Sequence, residues 1–260
     1  MEIAGKVAVV TGAAGGIGEA VARAFHASGV TGLTLVDIDQ VRLEVVADSL
    51  GAHAVVADLG QQSEVERVVA ETEEHFGPVD IFFSNAGILT MGGAEVATED
   101  WQNIWDINVM AHIHAARAVL PSMIDRGDGY LLSTASAAGL LSQIGSAPYS
   151  VTKAAAVSFA EWLSITHGEQ GIKVSVLCPQ AVATPMTEGV EGGGVAGTDG
   201  LISAEFVADC VVQAMRDEKF LILPHPEVAK YAERKGADRQ RWIGGMRRLQ
   251  AMFPGGGVEN

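Results

Sequence analysis

Only two cysteines, Cys178 and Cys210, occur in the chain, far apart and in no Cys-x-x-Cys pair. They offer neither a disulfide framework nor a cysteine metal site, and they fit two buried free thiols in a reducing compartment. Basic residues are also scarce: 17 Lys and Arg stand against 32 Asp and Glu, for a formal net charge of −15. Such a field repels phosphate backbones and anionic membrane surfaces, so nucleic acid is not an expected partner. No uninterrupted apolar stretch reaches the roughly 18 to 20 residues that a membrane-spanning helix needs, because Gly, Ser, Thr or charge breaks each run. The opening Met1-Glu2-Ile3-Ala4-Gly5-Lys6 lacks the basic segment, apolar run and cleavage site of a secretory signal, so a cytoplasmic location is expected. Charge as a whole is thin at 19%, against 48% hydrophobic residues, which excludes a disordered chain and supplies a large core. With 260 residues, one domain covering 1–260 is expected.

What is present is a rhythm. Short β-branched or apolar runs recur at 7–10, 33–36, 53–57, 79–83, 130–133, 173–177 and 220–223. Stretches with helical periodicity lie between them, at 16–28, 39–49, 62–76, 99–126, 148–169 and 204–217. Gly29, Gly51, Gly77-Pro78 and Gly171 stand where helices should stop. The early runs are continuously apolar, as strands covered on both faces must be. The expected fold is therefore α/β: a single doubly wound, Rossmann-type sheet of about seven parallel strands with helices on both faces. Ligands of such sheets bind beyond the carboxyl ends of the strands where the winding reverses, here between the first and fourth strands.

The chemistry-bearing residues cluster at those strand ends. After the first strand comes Thr11-Gly12-Ala13-Ala14-Gly15-Gly16-Ile17-Gly18, opening a helix. Glycines at 12, 16 and 18 permit a tight turn, close approach of a pyrophosphate to backbone N–H groups, and close packing of helix on strand. Asp37 ends the second strand about 20 residues on, where a carboxylate accepts hydrogen bonds from a ribose diol and repels an added 2′-phosphate. Neither Gly15 nor Ile38 supplies a base for that phosphate, so NAD(H) is the expected cofactor. Asp58-Leu59 follows the third strand and could present Asp58 to the adenine amine; Asn85-Ala86-Gly87 ends the fourth, and Ser136 follows the fifth. Tyr149 and Lys153, four apart in a helix, share a face. His112 and His114, two apart, face different sides of a helix and read as packing residues, and no metal is expected.

Thr-Gly-x-x-x-Gly-x-Gly, Asn-Ala-Gly, Ser136 and Tyr-x-x-x-Lys, in this order, resemble the short-chain dehydrogenase/reductase family over roughly residues 5 to 225. The resemblance implies an oxidoreductase that interconverts a secondary alcohol and a ketone by hydride transfer. It implies Tyr149 as the acid/base, Lys153 as a cation that favours the phenolate and binds the nicotinamide ribose, and Ser136 as the group aligning the carbonyl oxygen. Asn108 would hold a water leading protons to Lys153, and a homotetramer or homodimer is implied. After the sixth strand Pro179-Gln180 replaces the more usual Pro-Gly. The rest of that loop fits the family pattern, with Thr184 meeting the nicotinamide carboxamide and Val182 its backbone anchor.

Three readings concern the substrate side. The Gly-rich stretch 187–200 is expected to form a mobile lid. Residues 88–93, 137–144 and 186 onward, expected to border the substrate, carry no Lys or Arg and suit a small apolar alcohol or ketone. The stretch 227–250 is basic, with Lys230, Arg234, Lys235, Arg239, Arg241, Arg247 and Arg248 beside Tyr231, Trp242 and Met246. It is expected to be an amphipathic helix packed on the body or on a neighbouring acidic subunit, with membrane contact as the alternative. Two other functions stay open: a non-catalytic NAD sensor, and an epimerase or dehydratase on a similar fold.

Overall fold

A computed structural model describes residues 1–189 and 191–253. Among the described residues seven strands form one parallel sheet in the order β3-β2-β1-β4-β5-β6-β7. They are β1 (Val7–Thr11), β2 (Gly32–Asp37), β3 (His53–Val56), β4 (Ile81–Ser84), β5 (Gly129–Thr134), β6 (Ile172–Leu177) and β7 (Leu221–Ile222). The chain winds outward from β1 to β3, then returns to lay β4 against β1, Val9 opposite Phe82. The reversal therefore falls between β1 and β4, as the strand pattern requires. The central strands are buried on both faces, which is why their sequences do not alternate.

Helices α1 (Gly16–Ala27), α2 (Gln40–Leu50) and α8 (Ala204–Arg216) bury Val21, Phe25, Leu43, Val46, Val207 and Val211 in the core on one side. The other side is filled from α3 (Gln62–Phe76), α5 (Ala111–Arg126) and α7 (Ala147–His167), by Val65, Val68, Val119, Met123, Ala160 and Leu163. Phe25 is fully buried. Phe25→Ala is expected to cost about 3–5 kcal/mol of unfolding free energy, read as a lower denaturant midpoint at unchanged slope.

Two expected helices come out differently. The stretch 99–126 is α4 (Thr98–Trp105), a π-helical segment Asp106–Met110, and α5. Asn108 sits in that segment, where its side chain leaves the helix face to bond a neighbouring loop. The basic stretch 227–250 is two helices, α9 (Glu227–Ala237) and α10 (Arg239–Met252), rather than one. Asp238 separates them: its backbone is extended and its Oδ1 accepts the Arg241 N–H at 2.9 Å, an N-cap that competes with continuing the first helix. A short helix α6 (Ala137–Leu141), absent from the sequence reading, begins at Ser136. Residues 187–200 include a 3₁₀ turn at Glu191–Gly197, with residue 190 outside the described residues. Among the described residues no helix is long and apolar enough to cross a membrane.

Candidate active site

The β1–β4 junction is sewn together by short polar side chains. Thr11 donates to the Phe83 carbonyl (3.1 Å) and accepts from the Asn85 and Ala86 N–H groups (2.8 and 3.1 Å). Asn85 donates through Nδ2 to the Thr11 carbonyl (3.0 Å) and accepts through Oδ1 from the Thr134 hydroxyl (2.9 Å). Three strand ends are thereby locked at the winding switch, and both threonines were missed as site residues. The signal for Thr11 was the glycine motif that it opens; for Thr134 it was position alone, at the end of a strand that opens onto the crevice.

A cavity of about 310 Å³ opens there. Gly12, Gly16, Ile17, Asp37, Asn85, Ala86, Gly87, Ser136, Tyr149, Lys153, Pro179, Val182 and Thr184 all line it. Gly18 does not, and its role is packing: a Cβ there would lie 2.0 Å from the Gly12 carbonyl oxygen. Gly12 has a φ of +65°, which an L side chain rarely adopts, and a Cβ on it would press within 3.0 Å of the Ala86 Cα. Asp37 accepts from the Ala14 N–H through Oδ2 and from the Asp39 N–H through Oδ1, both at 3.0 Å, which fixes its carboxylate at the rim. Arg42, also unanticipated, lines the same cavity and lies 3.5 Å from the Asp39 carboxylate. Asp58 and Leu59 are not among the lining residues: Asp58 Oδ1 accepts the Gly60 N–H (3.0 Å), and Leu59 is buried in the core. A pyrophosphate and a ribose fit this cradle of open backbone beside a fixed carboxylate.

The three proposed catalytic side chains meet at the inner end. Ser136 caps α6, its Oγ accepting the Ala138 N–H (3.1 Å) and donating to the Pro179 carbonyl (3.4 Å), and it stands close enough to the Tyr149 phenol to act on its ionisation. Lys153 is buried, donates to the Thr134 carbonyl (3.0 Å), and stands 5.6 Å from the centre of the Tyr149 ring. Gly87 leaves the room: a Cβ there would lie 3.2 Å from Lys153 Nζ and 3.1 Å from Asn108 Oδ1.

Burial raises the Tyr149 phenol above its usual range, outweighing the effect of the neighbouring Ser136 hydroxyl. Burial likewise pushes Lys153 down to about 8. Cys178, buried beneath them, is pushed up to about 12 by burial and stays a thiol. Buried His112 falls to about 3, first by burial and then by repulsion from Lys153, so it stays neutral. Asn108 is fully buried, and its amide is already engaged: Oδ1 accepts the Ile88 N–H, and Nδ2 donates to the Ile88 carbonyl (both 2.9 Å) and to Thr152 Oγ1 (3.2 Å). Its side chain therefore clamps the loop after β4 to α7.

A second cavity, of about 370 Å³, shares Ser136 and Gln180 with the first and runs beneath the C-terminal helices. Ala137, Ala138 and Leu141 form its floor; Tyr231, Arg234, Trp242, Met246 and Leu249 close it from above. Arg234 brings a cation to this cavity because α9 and α10 fold over it, adding residues beyond the segments expected to border the substrate. Gln180 binds Asp199 Oδ2 through Nε2 (2.9 Å), and the Tyr231 hydroxyl donates to Asp199 Oδ1 (3.0 Å). That carboxylate ties the 187–200 segment to both β6 and α9.

Comparison with known proteins agrees with this geometry. The family model described as short chain dehydrogenase matches residues 6–192. A 1-deoxy-11-beta-hydroxypentalenate dehydrogenase of Streptomyces exfoliatus is 35% identical over 87% of this chain and 86% of its own length. A short chain dehydrogenase/reductase from Burkholderia phymatum, solved in complex with NAD, superposes with a TM-score of 0.84 at 28% identity, covering 92% of this chain and 96% of that one. The L-sorbose reductase of Gluconobacter frateurii, complexed with NADPH and L-sorbose, gives 0.77 at 29% identity over 86% of this chain and 97% of that one. With this fold, this order of motifs and these relatives, the chain belongs to the short-chain dehydrogenase/reductase family of oxidoreductases.

Proposed function

We propose that the protein is an NAD(H)-dependent oxidoreductase that interconverts a secondary alcohol and a ketone with a largely apolar skeleton. The observation that carries this reading is the convergence of Ser136, Tyr149 and Lys153 on one wall of the cavity that the glycine turn and Asp37 border. A bound nicotinamide supplies or accepts the hydride. The Ser136 hydroxyl aligns the substrate oxygen, and the half-buried, neutral Tyr149 phenol gives its proton to that oxygen as a ketone is reduced. In oxidation the phenol must first lose its proton, and a charged Lys153 beside the ring lowers that cost. Thr184 and Val182 hold the carboxamide end of the cofactor, and Asp37 the ribose diol of the adenosine half. The 187–200 segment serves as the lid, with Asp199 as its latch.

Two measurements bear on the cofactor. Asp37→Ala is expected to narrow the preference for NADH over NADPH about tenfold, the weight of roughly 1.4 kcal/mol of differential binding. An unchanged ratio would move the discrimination to the Asp39–Arg42 pair. Lys153 binds ribose hydroxyls best as the ammonium, so NADH affinity falls as pH rises through about 8, the value burial imposes on it. Binding near that pH takes up a proton, seen by calorimetry in buffers of different ionisation enthalpy; Lys153→Met removes the uptake.

A cytoplasmic homotetramer or homodimer completes the reading. Val151, Trp162 and Ile165 leave apolar surface exposed along α7, the helix that bears Tyr149, and a symmetric helix pair would cover it. A strictly monomeric species by light scattering would contradict the assembly.

A further inference from the structure

The second cavity does not end at its apolar roof. Arg234, Trp242, Gly245 and Met246 line it and also line a groove of about 530 Å³ between α9 and α10, which Arg241 and Arg248 complete. The pocket beside Ser136 therefore abuts a space bordered by three guanidinium groups. Among the described residues none of the three, all of them exposed, lies within 4 Å of a carboxylate; the same holds for Arg117, Arg216, Arg239 and Arg247, while Arg23, Arg42, Arg67 and Arg126 each hold one, so what sets these three apart is that they meet at one groove. Asp238 lines the same groove and accepts the Arg241 N–H, and Asp199 accepts from Gln180 and Tyr231; neither carboxylate forms an ion pair with these guanidinium groups. Arg234 also stands 6.0 Å from the centre of the Tyr231 ring, on whose face a guanidinium is held without being neutralised. In a chain carrying a net charge of −15, unpaired cations gathered at the end of an apolar pocket mark a place for a negative charge that arrives with the ligand.

From this we infer that the substrate is an oxo or hydroxy carboxylic acid: an apolar skeleton whose reacting carbon faces Ser136 and Tyr149, and whose carboxylate, at the remote end, is bound by Arg234. One guanidinium at the pocket itself matches one negative charge, and its planar fork fits a carboxylate through two parallel hydrogen bonds. Arg241 and Arg248 add longer-range attraction from the groove. The inference rests on the oxidoreductase reading, which it deepens by naming the group opposite the reacting carbon.

The test uses oxo-carboxylic acids of graded chain length, each paired with its methyl ester, on the full-length enzyme saturated with its better-bound cofactor. Calorimetry gives the affinity of each member whether or not it is turned over, and kcat/KM is measured beside it. The acid of the best-fitting length is expected to bind at least about tenfold more tightly than its ester, an advantage that shrinks as salt is raised. In Arg234→Gln the acid-to-ester ratio should fall towards one, while Arg234→Lys keeps part of it; cofactor binding by each variant reports that it is folded. Esters bound as tightly as acids at every length, or a ratio unmoved in Arg234→Gln, would overturn the inference and leave the oxidoreductase reading standing. Acids bound preferentially, with a ratio that falls in Arg234→Gln, but never reduced nor formed from the matching hydroxy acids would count against the oxidoreductase reading and overturn the substrate assignment with it, leaving only a carboxylate subsite at Arg234. Self-association that Arg234→Gln abolishes, with no acid preference in the parent, would assign these arginines to a contact between subunits and overturn the inference.

Discussion

Tyr149→Phe is expected to lower kcat by about 10²- to 10⁴-fold, the usual weight of a positioned general acid, and to leave cofactor binding in place. The change removes one oxygen and orphans nothing around it. Ser136 keeps the Ala138 N–H and the Pro179 carbonyl as partners, and Lys153 keeps the Thr134 carbonyl. The ring remains beside Lys153, so the fold and the cradle are unaltered and the loss falls on the chemical step. Turnover near that of the parent, in a variant that still binds NADH, would take the proton-transfer role away from this residue.

Gly18→Ala is the second large effect, and it works through packing rather than chemistry. The added methyl would lie 2.0 Å from the Gly12 carbonyl oxygen and 2.6 Å from the carbonyl carbon, both backbone atoms of the turn that receives the phosphates. No side chain can swing aside, so α1 has to move off β1. A cost of about 3 kcal/mol is expected, at the upper end of overpacking, with cofactor affinity down about a hundredfold if the shift is felt entirely at the turn. Gly15 supplies the control. Its backbone is extended, and a Cβ there would meet only Pro185 Cγ at 4.0 Å, so Gly15→Ala should change both quantities little. Thermal melts and fluorescence titrations of the two variants read the difference; equal behaviour would show that close helix–strand contact does not set the turn.

What could be read in advance follows from how local each signal is. Strand β1, the glycine turn and Asp37 lie within one βαβ unit, where periodicity and turn chemistry act over short distances. Tyr149 and Lys153 share a helix face by arithmetic. The strand rhythm also locates β4 and β5, and so brings Asn85 and Ser136 to the same crevice from sequence alone. The π-helical segment at Asn108 was not legible, because it depends on an amide reaching across to Ile88, a contact 20 residues away in the chain. The break at Asp238 was legible in principle, since an Asp after Gly236-Ala237 is an N-cap signal, but the periodicity of the basic residues masked it. Arg234 over the pocket was not, because the register of a C-terminal hairpin on α6 is set by tertiary contacts such as Lys235 to the Leu140 carbonyl and Tyr231 to Asp199. The upward shift of the Tyr149 phenol was not legible for a related reason: spacing reveals a neighbouring cation, but the cost of burial is a property of the whole assembled crevice.

The central claim is that this crevice moves a hydride between a nicotinamide and a secondary carbon. The most direct measurement supplies NADH deuterated on the reactive ring carbon together with a panel of apolar ketones and oxo acids, and examines the products by mass spectrometry. Deuterium on the carbinol carbon of at least one product, from one face of the ring only and absent in Tyr149→Phe, is the expected result. Tight NADH binding with no deuterium transferred to any member, and none taken from the matching deuterated alcohols by NAD, would contradict it.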